Sequence, residues 1–297
     1  MVLAHYYTSP AVQQMADYVG DSLQLALIAQ KEQPERLVFA SVLFMAEQAK
    51  ILLPNTEVIL PHRDSTCSLV EMTDIEKLKQ WKDSFPNSVL VSYVNSSVEQ
   101  KAISDMIVTS ANVLEIIKSY VDQGKKVLFA NDRNMGAYLN WQFNANIEVW
   151  QDAVCIVHDA FKEKELDQAM AGWTDGPKYL IAHPESPLPV LKKADFVGST
   201  TELLNWVKNC DSKIATIFVA TEPNILYNMK SIRPELDIRI APTYTGCMCF
   251  ECPWMALNTV QQVQDAIDGK GGLVIDYLDP ELSKQATVPI NRMLNFK

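Results

Sequence analysis

Cysteine and histidine side chains give this chain most of its chemical potential. The sequence contains six cysteines and four histidines. Thiolates bind zinc and iron-sulfur clusters, and imidazole groups transfer protons when they lie within hydrogen-bond reach of a substrate. Cys67 and Cys155 each follow an apolar segment typical of a strand, as does the cluster of Cys247, Cys249 and Cys252. These positions predict a metal site, provided that the fold brings them together.

The residues that could do chemistry recur at intervals of about ninety residues, the period expected of a repeated structural unit. In each repeat, polar side chains end the first strand, a serine opens a helix, and an alanine ends the second strand. The recurring positions are His5, Tyr93 and His183; Tyr7, Asn95 and Glu185; Ser22, Ser110 and Ser199; and Ala40, Ala130 and Ala220. The sequence therefore predicts three copies of one unit.

The elements that must position these residues are short apolar strands alternating with helices, a pattern typical of α/β units with parallel sheets. We expect three homologous three-layer α/β/α domains, each with three strands, in pseudo-threefold symmetry around a central active site. Turns rich in Gly, Pro and Asp set the predicted domains at residues 1–86, 87–176 and 177–297. Residues after about 265 exceed the repeat, and we interpret them as a terminal strand and helix that cap the assembly.

A shared site follows from this arrangement, because parallel α/β sheets bind ligands at the carboxyl ends of their strands. Ser22, Ser110 and Ser199 are predicted helix N-caps, and helix N-termini facing a common centre would favour an anionic ligand. One thiolate from each unit would leave a fourth coordination position open on a bound metal, as in catalytic sites. These patterns alone do not decide between zinc and iron.

Composition excludes several function classes. A formal net charge of -10 opposes nucleic acid as a partner. No apolar run reaches the length of a membrane span, and the first residues lack the features of a secretory signal, so we expect a cytoplasmic protein with reduced thiols. The apolar fraction of 48% and charged fraction of 21% are typical of a globular protein. No nucleotide-binding glycine motif is present.

Short motifs spread over the whole chain resemble those of the quinolinate synthases, iron-sulfur enzymes of de novo NAD biosynthesis. The matching segments are LAHYY (3–7), VGDSLQLA (19–26), FMAEQAKIL (44–52), YVNSSVEQKAISD (93–105), TSAN (109–112), DRNMG (132–136), CIVH (155–158), HPES (183–186), ADFVGST (194–200), ATE (220–222) and CPWMALNT (252–259). The family's fold, three homologous α/β domains around a central 4Fe-4S cluster, agrees with the repeat read from the sequence.

The resemblance implies condensation of iminoaspartate with dihydroxyacetone phosphate, with loss of phosphate and two waters, to give quinolinate. It also implies functional coupling to an aspartate-oxidising enzyme that supplies unstable iminoaspartate. The cluster ligands would be Cys67, Cys155 and Cys252, with one iron left open as a Lewis acid. The implied substrate-binding residues are His5, Ser22, Tyr93, Asn95, Ser110, His158, His183, Glu185, Ser199 and Thr200. The candidates for proton transfer are Glu185, His5, His183 and Tyr7.

The third metal ligand has two candidates. Repeat spacing favours Cys247, whereas the CPWM motif of the family favours Cys252, which we take as the ligand. Cys247 and Cys249 could form a redox pair with Cys252 or be spare thiols of a loop.

Two other functions fit the same scaffold. A non-catalytic protein could use the three-domain cradle to bind a small dicarboxylate, and a zinc-dependent lyase could use the same thiolates. The identity of the bound metal would discriminate between the enzymes.

Overall fold

The computed structural model describes residues 1–172, 176–244 and 250–296. Strands and helices alternate along the chain, and the strands form three sheets. Within each unit all paired strands are parallel. Such strands are buried on both faces, which explains the nearly continuous apolar sequence of each central strand. The predicted α/β class, with helices flanking parallel sheets, is confirmed.

The first unit contains a parallel sheet in the order β4-β3-β1-β2. Its strands are β1 (Val2–His5), β2 (Tyr18–Gly20), β3 (Arg36–Ala40) and β4 (Glu57–Leu60). Its helices are α1 (Pro10–Gln13), α2 (Ser22–Glu32), α3 (Leu43–Leu52), α4 (Ser68–Glu71) and α5 (Ile75–Asp83).

The second unit repeats this plan in the order β6-β5-β7-β8. Its strands are β5 (Ser88–Tyr93), β6 (Met106–Val108), β7 (Lys126–Ala130) and β8 (Glu148–Val149). Its helices are α6 (Val98–Ile103), α7 (Val113–Asp122), α8 (Arg133–Phe143), a 3-10 turn (His158–Ala160) and α9 (Glu163–Ala171).

The third unit has the order β10-β9-β11-β12. Its strands are β9 (Lys178–Ala182), β10 (Phe196–Val197), β11 (Thr216–Ala220) and β12 (Asp237–Ile240). Its helices are α10 (Leu188–Leu191), α11 (Thr200–Lys208), α12 (Ile225–Ile232), a 3-10 turn (Met255–Leu257) and α13 (Val260–Ile267).

The prediction of three strands per unit is wrong, because each sheet has four parallel strands. The additional strands are the short edge strands β2, β6 and β10, which contain only two or three residues each. Each pairs with the carboxyl half of the first strand of its unit, as in the pairing of His5 with Gly20. Strands this short leave no recognisable apolar alternation in the sequence.

Two of the three predicted helix N-caps are also wrong. Asp21, not Ser22, caps α2 by accepting hydrogen bonds from the backbone N–H groups of Leu23 and Gln24. Asn112, not Ser110, occupies the N-cap position of α7. Ser199 caps α11 as predicted, in a capping box with Glu202.

The last helix of each unit packs on the next unit, so the three units close into a ring. α5 packs against α6, and α9 packs against α10. α13 returns to the first unit, where it contacts α1 and β3, and Arg36 donates from Nη1 to the carbonyl oxygen of Ile267 at 2.8 Å. These contacts between neighbouring units fix the relative placement of the three sheets.

The chain ends in a strand and a helix that join the first two units. β13 (Leu273–Val274) pairs antiparallel with β4, and α14 (Pro280–Leu294) packs against α6, β6 and α3. The domain boundaries and the pseudo-threefold symmetry stay predictions. None of the described helices is long and apolar enough to cross a membrane.

Candidate active site and metal centre

A cavity lies where the three units meet, and residues from each of them line it. The polar and ionisable lining residues are His5, Tyr7, Asp21, Ser22, Thr66, Cys67, Tyr93, Asn95, Thr109, Ser110, Cys155, His158, His183, Glu185, Thr200, Glu222 and Cys252. The structure thus brings together every predicted site residue except Ser199, which is buried as the cap of α11.

Each of the three cysteines in the cavity stands at the start of a short helical turn. The carbonyl oxygens of Cys67, Cys155 and Cys252 all accept a hydrogen bond from the backbone N–H four residues later. Each sulfur also accepts a backbone hydrogen bond from the residue three positions on. The three units therefore present their thiols with the same local backbone geometry, which orients N–H dipoles toward developing thiolate charge.

Burial disfavours the charged form of these thiols. It raises the pKa of Cys252 to about 12, with the Glu222 carboxylate adding to the effect of burial. Burial likewise raises the pKa of Cys67 and of Cys155, and the proximity of Cys252 to Cys67, and of Cys67 to Cys155, raises it further. No lysine or arginine lines the cavity within the described ranges. Thiolates here therefore need a metal cation to be stable, because desolvation penalises a buried anion that no positive charge neutralises.

The choice of Cys252 over Cys247 as the third metal ligand stays a prediction. Cys252 lies in the cavity wall, directly before the 3-10 turn Met255–Leu257. Cys247 and Cys249 lie outside the described residues.

A second group of possible metal ligands shares one of these cysteines. Three residues each offer one ligand atom, and these atoms lie within 4.8 Å of one another: Cys155, His158 and Glu185. In the parts of the chain that the structure describes, no other set of three such ligands is this compact. This group could hold a metal ion.

Glu185 is a buried residue of the cavity wall that contacts two histidines. Its Oε2 lies 2.6 Å from Nδ1 of His158 and 3.6 Å from Nδ1 of His183. Burial works against ionisation, but the contact with His158 and the hydrogen bond from Tyr93 outweigh it and lower the pKa of Glu185. Because a carboxylate only accepts hydrogen bonds, His158 must carry its proton on Nδ1.

Hydrogen bonds continue from His158 across the cavity wall to the other two units. Nε2 of His158 lies 2.9 Å from the Thr221 hydroxyl, which lies 2.8 Å from the Tyr7 hydroxyl. The Tyr7 hydroxyl is in turn 3.0 Å from that of Thr200. With Nε2 of His158 accepting from Thr221, the directions are consistent along one chain from Thr200 through Tyr7 to Glu185. Such a chain can pass a proton between the units.

Tyr7 stays protonated in this chain. Burial raises its pKa well above 10, and the charge of Glu185 raises it further, against the opposing hydrogen bonds from Thr200 and Thr221. The Tyr7 hydroxyl is therefore a hydrogen-bond donor throughout the physiological range.

His5 and His183 are neutral imidazoles. Burial lowers the pKa of His5 to about 4, against the opposing charges of Asp21 and Glu185, and lowers that of His183 to about 3. Nδ1 of His5 accepts the backbone N–H of Tyr7 at 3.1 Å, and Nδ1 of His183 accepts that of Glu185 at 3.4 Å. Since Nδ1 accepts in both rings, the proton lies on Nε2, where each can donate to a ligand.

The second unit contributes Tyr93, Asn95 and Ser110. Tyr93 is buried and shares a side-chain hydrogen bond with Glu185, and burial raises its pKa well above 10. The Asn95 side-chain nitrogen lies 3.9 Å from the sulfur of Cys67. Ser110 lies in the turn that leads into α7.

Several buried polar residues of this site are not among the predicted metal ligands, substrate-binding residues or proton-transfer candidates. Asp21 caps α2 and accepts a hydrogen bond from the Thr201 hydroxyl at 2.5 Å, which joins the first and third units. Glu222 accepts the backbone N–H of Cys252 at 3.4 Å, and burial raises its pKa to about 8. Asp132 accepts a hydrogen bond from the backbone N–H of Cys155, also at 3.4 Å. Asp132 and Glu222 stand two residues after the recurring alanines Ala130 and Ala220, so repeat register could have found them.

Comparison with known proteins gives one consistent result. The sequence pattern of the family described as "Quinolinate synthetase A protein" matches residues 1–295. The quinolinate synthase of Microcystis aeruginosa is 39% identical over 294 residues, covering 99% of this chain and 90% of that protein. The quinolinate synthase of a Synechococcus species is 41% identical over 298 residues, which cover 99% of this chain and 90% of that protein. That of Nostoc punctiforme is 39% identical over 294 residues, with coverage of 99% and 88%.

Proposed function

The chain belongs to the quinolinate synthetase A family, and on that premise we propose that it is a quinolinate synthase of NAD biosynthesis that uses a 4Fe-4S cluster. Its reaction would be the condensation of iminoaspartate with dihydroxyacetone phosphate, with loss of phosphate and two waters. The observation that carries the proposal is the single cavity shared by three cysteines and by the proton-transferring groups of all three units.

Each of the three units contributes one cysteine to the cavity wall, an arrangement that suits a cluster whose irons are held by different thiolates. Cys67, Cys155 and Cys252 would hold the cluster, which would supply an open iron as a Lewis acid for dehydration.

The cavity suits two anionic substrates despite its lack of described lysine or arginine. Ser22 and Leu23 line it at the start of α2, and Thr200 lines it at the start of α11. Backbone N–H groups and hydroxyls at helix N-termini bind carboxylates and phosphates well. The Nε2–H groups of His5 and His183 add neutral donors, so anions are bound without a fixed cationic charge.

Proton transfer would use the hydrogen-bonded chain across the units. Glu185 is ionised and can accept a proton through His158, while Tyr7 is protonated and can donate. The reaction requires both removal of protons from carbon and protonation of leaving oxygens. A base and a donor joined through Thr221 can serve both steps without exchange with bulk water.

Iminoaspartate hydrolyses readily, so an aspartate-oxidising enzyme must supply it close to the time of use. We include this functional coupling, a cytoplasmic location, and the absence of a nucleic-acid or membrane partner in the proposal.

Anaerobic purification with metal and sulfide analysis tests the proposal. We expect a brown protein with iron and sulfide in equal amounts, which forms quinolinate from both substrates. A colourless protein with stoichiometric zinc would favour the zinc-dependent lyase, for which the compact group of Cys155, His158 and Glu185 is the supporting observation. An intact cluster without product would favour the dicarboxylate-binding protein.

A further inference from the structure

Lys101 on α6 is a fully buried lysine that the proposed reaction does not use. Its exposed fraction is 1%, and the hydrogen bonds of its side chain go to backbone carbonyls. Burial lowers its pKa to about 7, with the charges of Glu47 and Cys67 opposing this. A buried ammonium is costly unless polar groups surround it, so its contacts indicate what it does.

The Lys101 ammonium binds two backbone carbonyls that flank Asn95. Nζ donates to the carbonyl oxygen of Val94 at 2.9 Å and to that of Ser96. An ammonium carries three donors on a long flexible stem and no acceptor, which suits two carbonyls separated by one residue. Hydrogen bonds from a charged donor in a dry interior are roughly twice as strong as neutral ones.

The carbonyl of Asn95 itself is held by a second donor from the same region. Asn131 donates from Nδ2 to the Asn95 carbonyl oxygen at 2.5 Å and to that of Leu69 at 3.2 Å. Gln100, next to Lys101 on α6, donates to Oδ1 of Asn131 at 3.2 Å and so orients its amide. Three successive carbonyls, from Val94 to Ser96, are therefore bound by buried donors.

Holding these carbonyls away from the cavity leaves the Asn95 side chain to project into it, beside Cys67. The hydrogen bond from Asn131 to the Leu69 carbonyl oxygen also connects the Val94–Ser96 segment to the turn that begins at Cys67. We propose that Lys101 is a positioning residue, which acts on the ligand through Asn95 and the Val94–Ser96 segment. This deepens the proposed function and rests on it only for the choice of substrate assay.

The first test uses metal-free protein and no substrate. Hydrogen exchange of residues 94–97 should be at least tenfold faster in Lys101→Met than in wild type, while exchange in β11 of the third unit stays unchanged. Lys82→Met is the matched control, because Lys82 also donates to a carbonyl, that of Ile103 at 2.6 Å, but lies at the surface beside Asp105. Lys82→Met should leave residues 94–97 protected.

The second test asks whether Lys101 acts through Asn95. In the loaded enzyme, Lys101→Met and Asn95→Ala should each raise KM about tenfold with a smaller change in kcat. The double variant should be no worse than Asn95→Ala alone, because residues that act as one unit are not additive. If the two KM effects multiply, or if Lys101→Met lowers only the Tm, the inference is wrong.

Failure of the inference is distinguishable from failure of the proposed function. If wild type makes no quinolinate, the function fails, and hydrogen exchange still decides the role of Lys101. If Lys101→Met does not fold, Lys101→Gln keeps two donors on a shorter stem and should show intermediate exchange. If neither folds, ¹⁵N-lysine NMR of wild type decides: the Lys101 side-chain protons should exchange slowly, and rapid exchange with water would overturn the inference.

Discussion

Tyr7→Phe separates the structural role of the hydrogen-bonded chain from its chemical role. The Tyr7 hydroxyl links the first unit to Thr200 and Thr221 of the third unit, at 3.0 and 2.8 Å. A net contribution of about 1 kcal/mol per hydrogen bond gives a loss of about 2 kcal/mol in the free energy of unfolding. Thr221 keeps His158 as a partner, which limits the cost. At about 2–4 °C per kcal/mol, we expect the Tm to fall by about 4–8 °C.

The effect on turnover should be much larger than the effect on stability. Without the hydroxyl, the chain between Thr200 and Glu185 is broken, and loss of a proton-transferring group typically costs about 10²–10⁴-fold in rate. Thermal unfolding of the metal-free protein measures the first effect. Anaerobic quinolinate formation, normalised to cluster content, measures the second.

Tyr227→Phe is the matched control. The Tyr227 hydroxyl also joins the third unit to the first, by accepting a hydrogen bond from Gln14 Nε2 at 3.0 Å, but it is exposed and outside the cavity. We expect nearly normal turnover and a Tm change smaller than that of Tyr7→Phe. The reasoning is refuted if Tyr7→Phe keeps more than a third of wild-type turnover, or if the control loses as much.

Three further predictions concern the metal centre, the central carboxylate and pH. Cys252→Ser should abolish retention of iron, whereas Cys247→Ser should retain it; the reverse result would show that repeat spacing was the better guide. Glu185→Gln should keep the iron content of wild type but reduce turnover about 100-fold by the loss of a base; near-normal turnover would exclude it from catalysis. The Tm of metal-free protein should fall as pH drops from 6.5 toward about 4, since unfolded His5 and His183 take up protons that the buried rings, with lowered pKa, do not. His183→Gln should make this decline shallower in calorimetry, and an unchanged slope would contradict the assignment.

Repeat register was a reliable guide wherever it followed the strands. His5 and Tyr93 are the last residues of β1 and β5, and His183 directly follows β9; parallel strands place their carboxyl ends at one edge of the sheet. For the same reason the register located Glu185 and would have located Glu222. Strand ends are set locally by apolar runs, which a sequence shows directly.

The sequence did not predict which loop residue caps a helix, nor where the short edge strands lie. Ser22 and Asp21 are adjacent and equally suited to cap a helix, and only the backbone path made Asp21 the cap of α2. The edge strands β2, β6 and β10 exist because a neighbouring strand offers hydrogen-bonding partners, which is a tertiary condition.

The sequence by itself determined the α/β class, the repeated unit and most of the residues that face the common cavity, because periodic burial and strand ends are local properties. Only the tertiary structure decided that Cys252 lies in the cavity wall, that Tyr7 is joined through Thr221 to Glu185, and that Lys101 lies buried behind Asn95. These contacts join residues up to about two hundred positions apart. Hydrogen bonds between distant segments depend on how the units pack, and no local pattern in the chain encodes that packing.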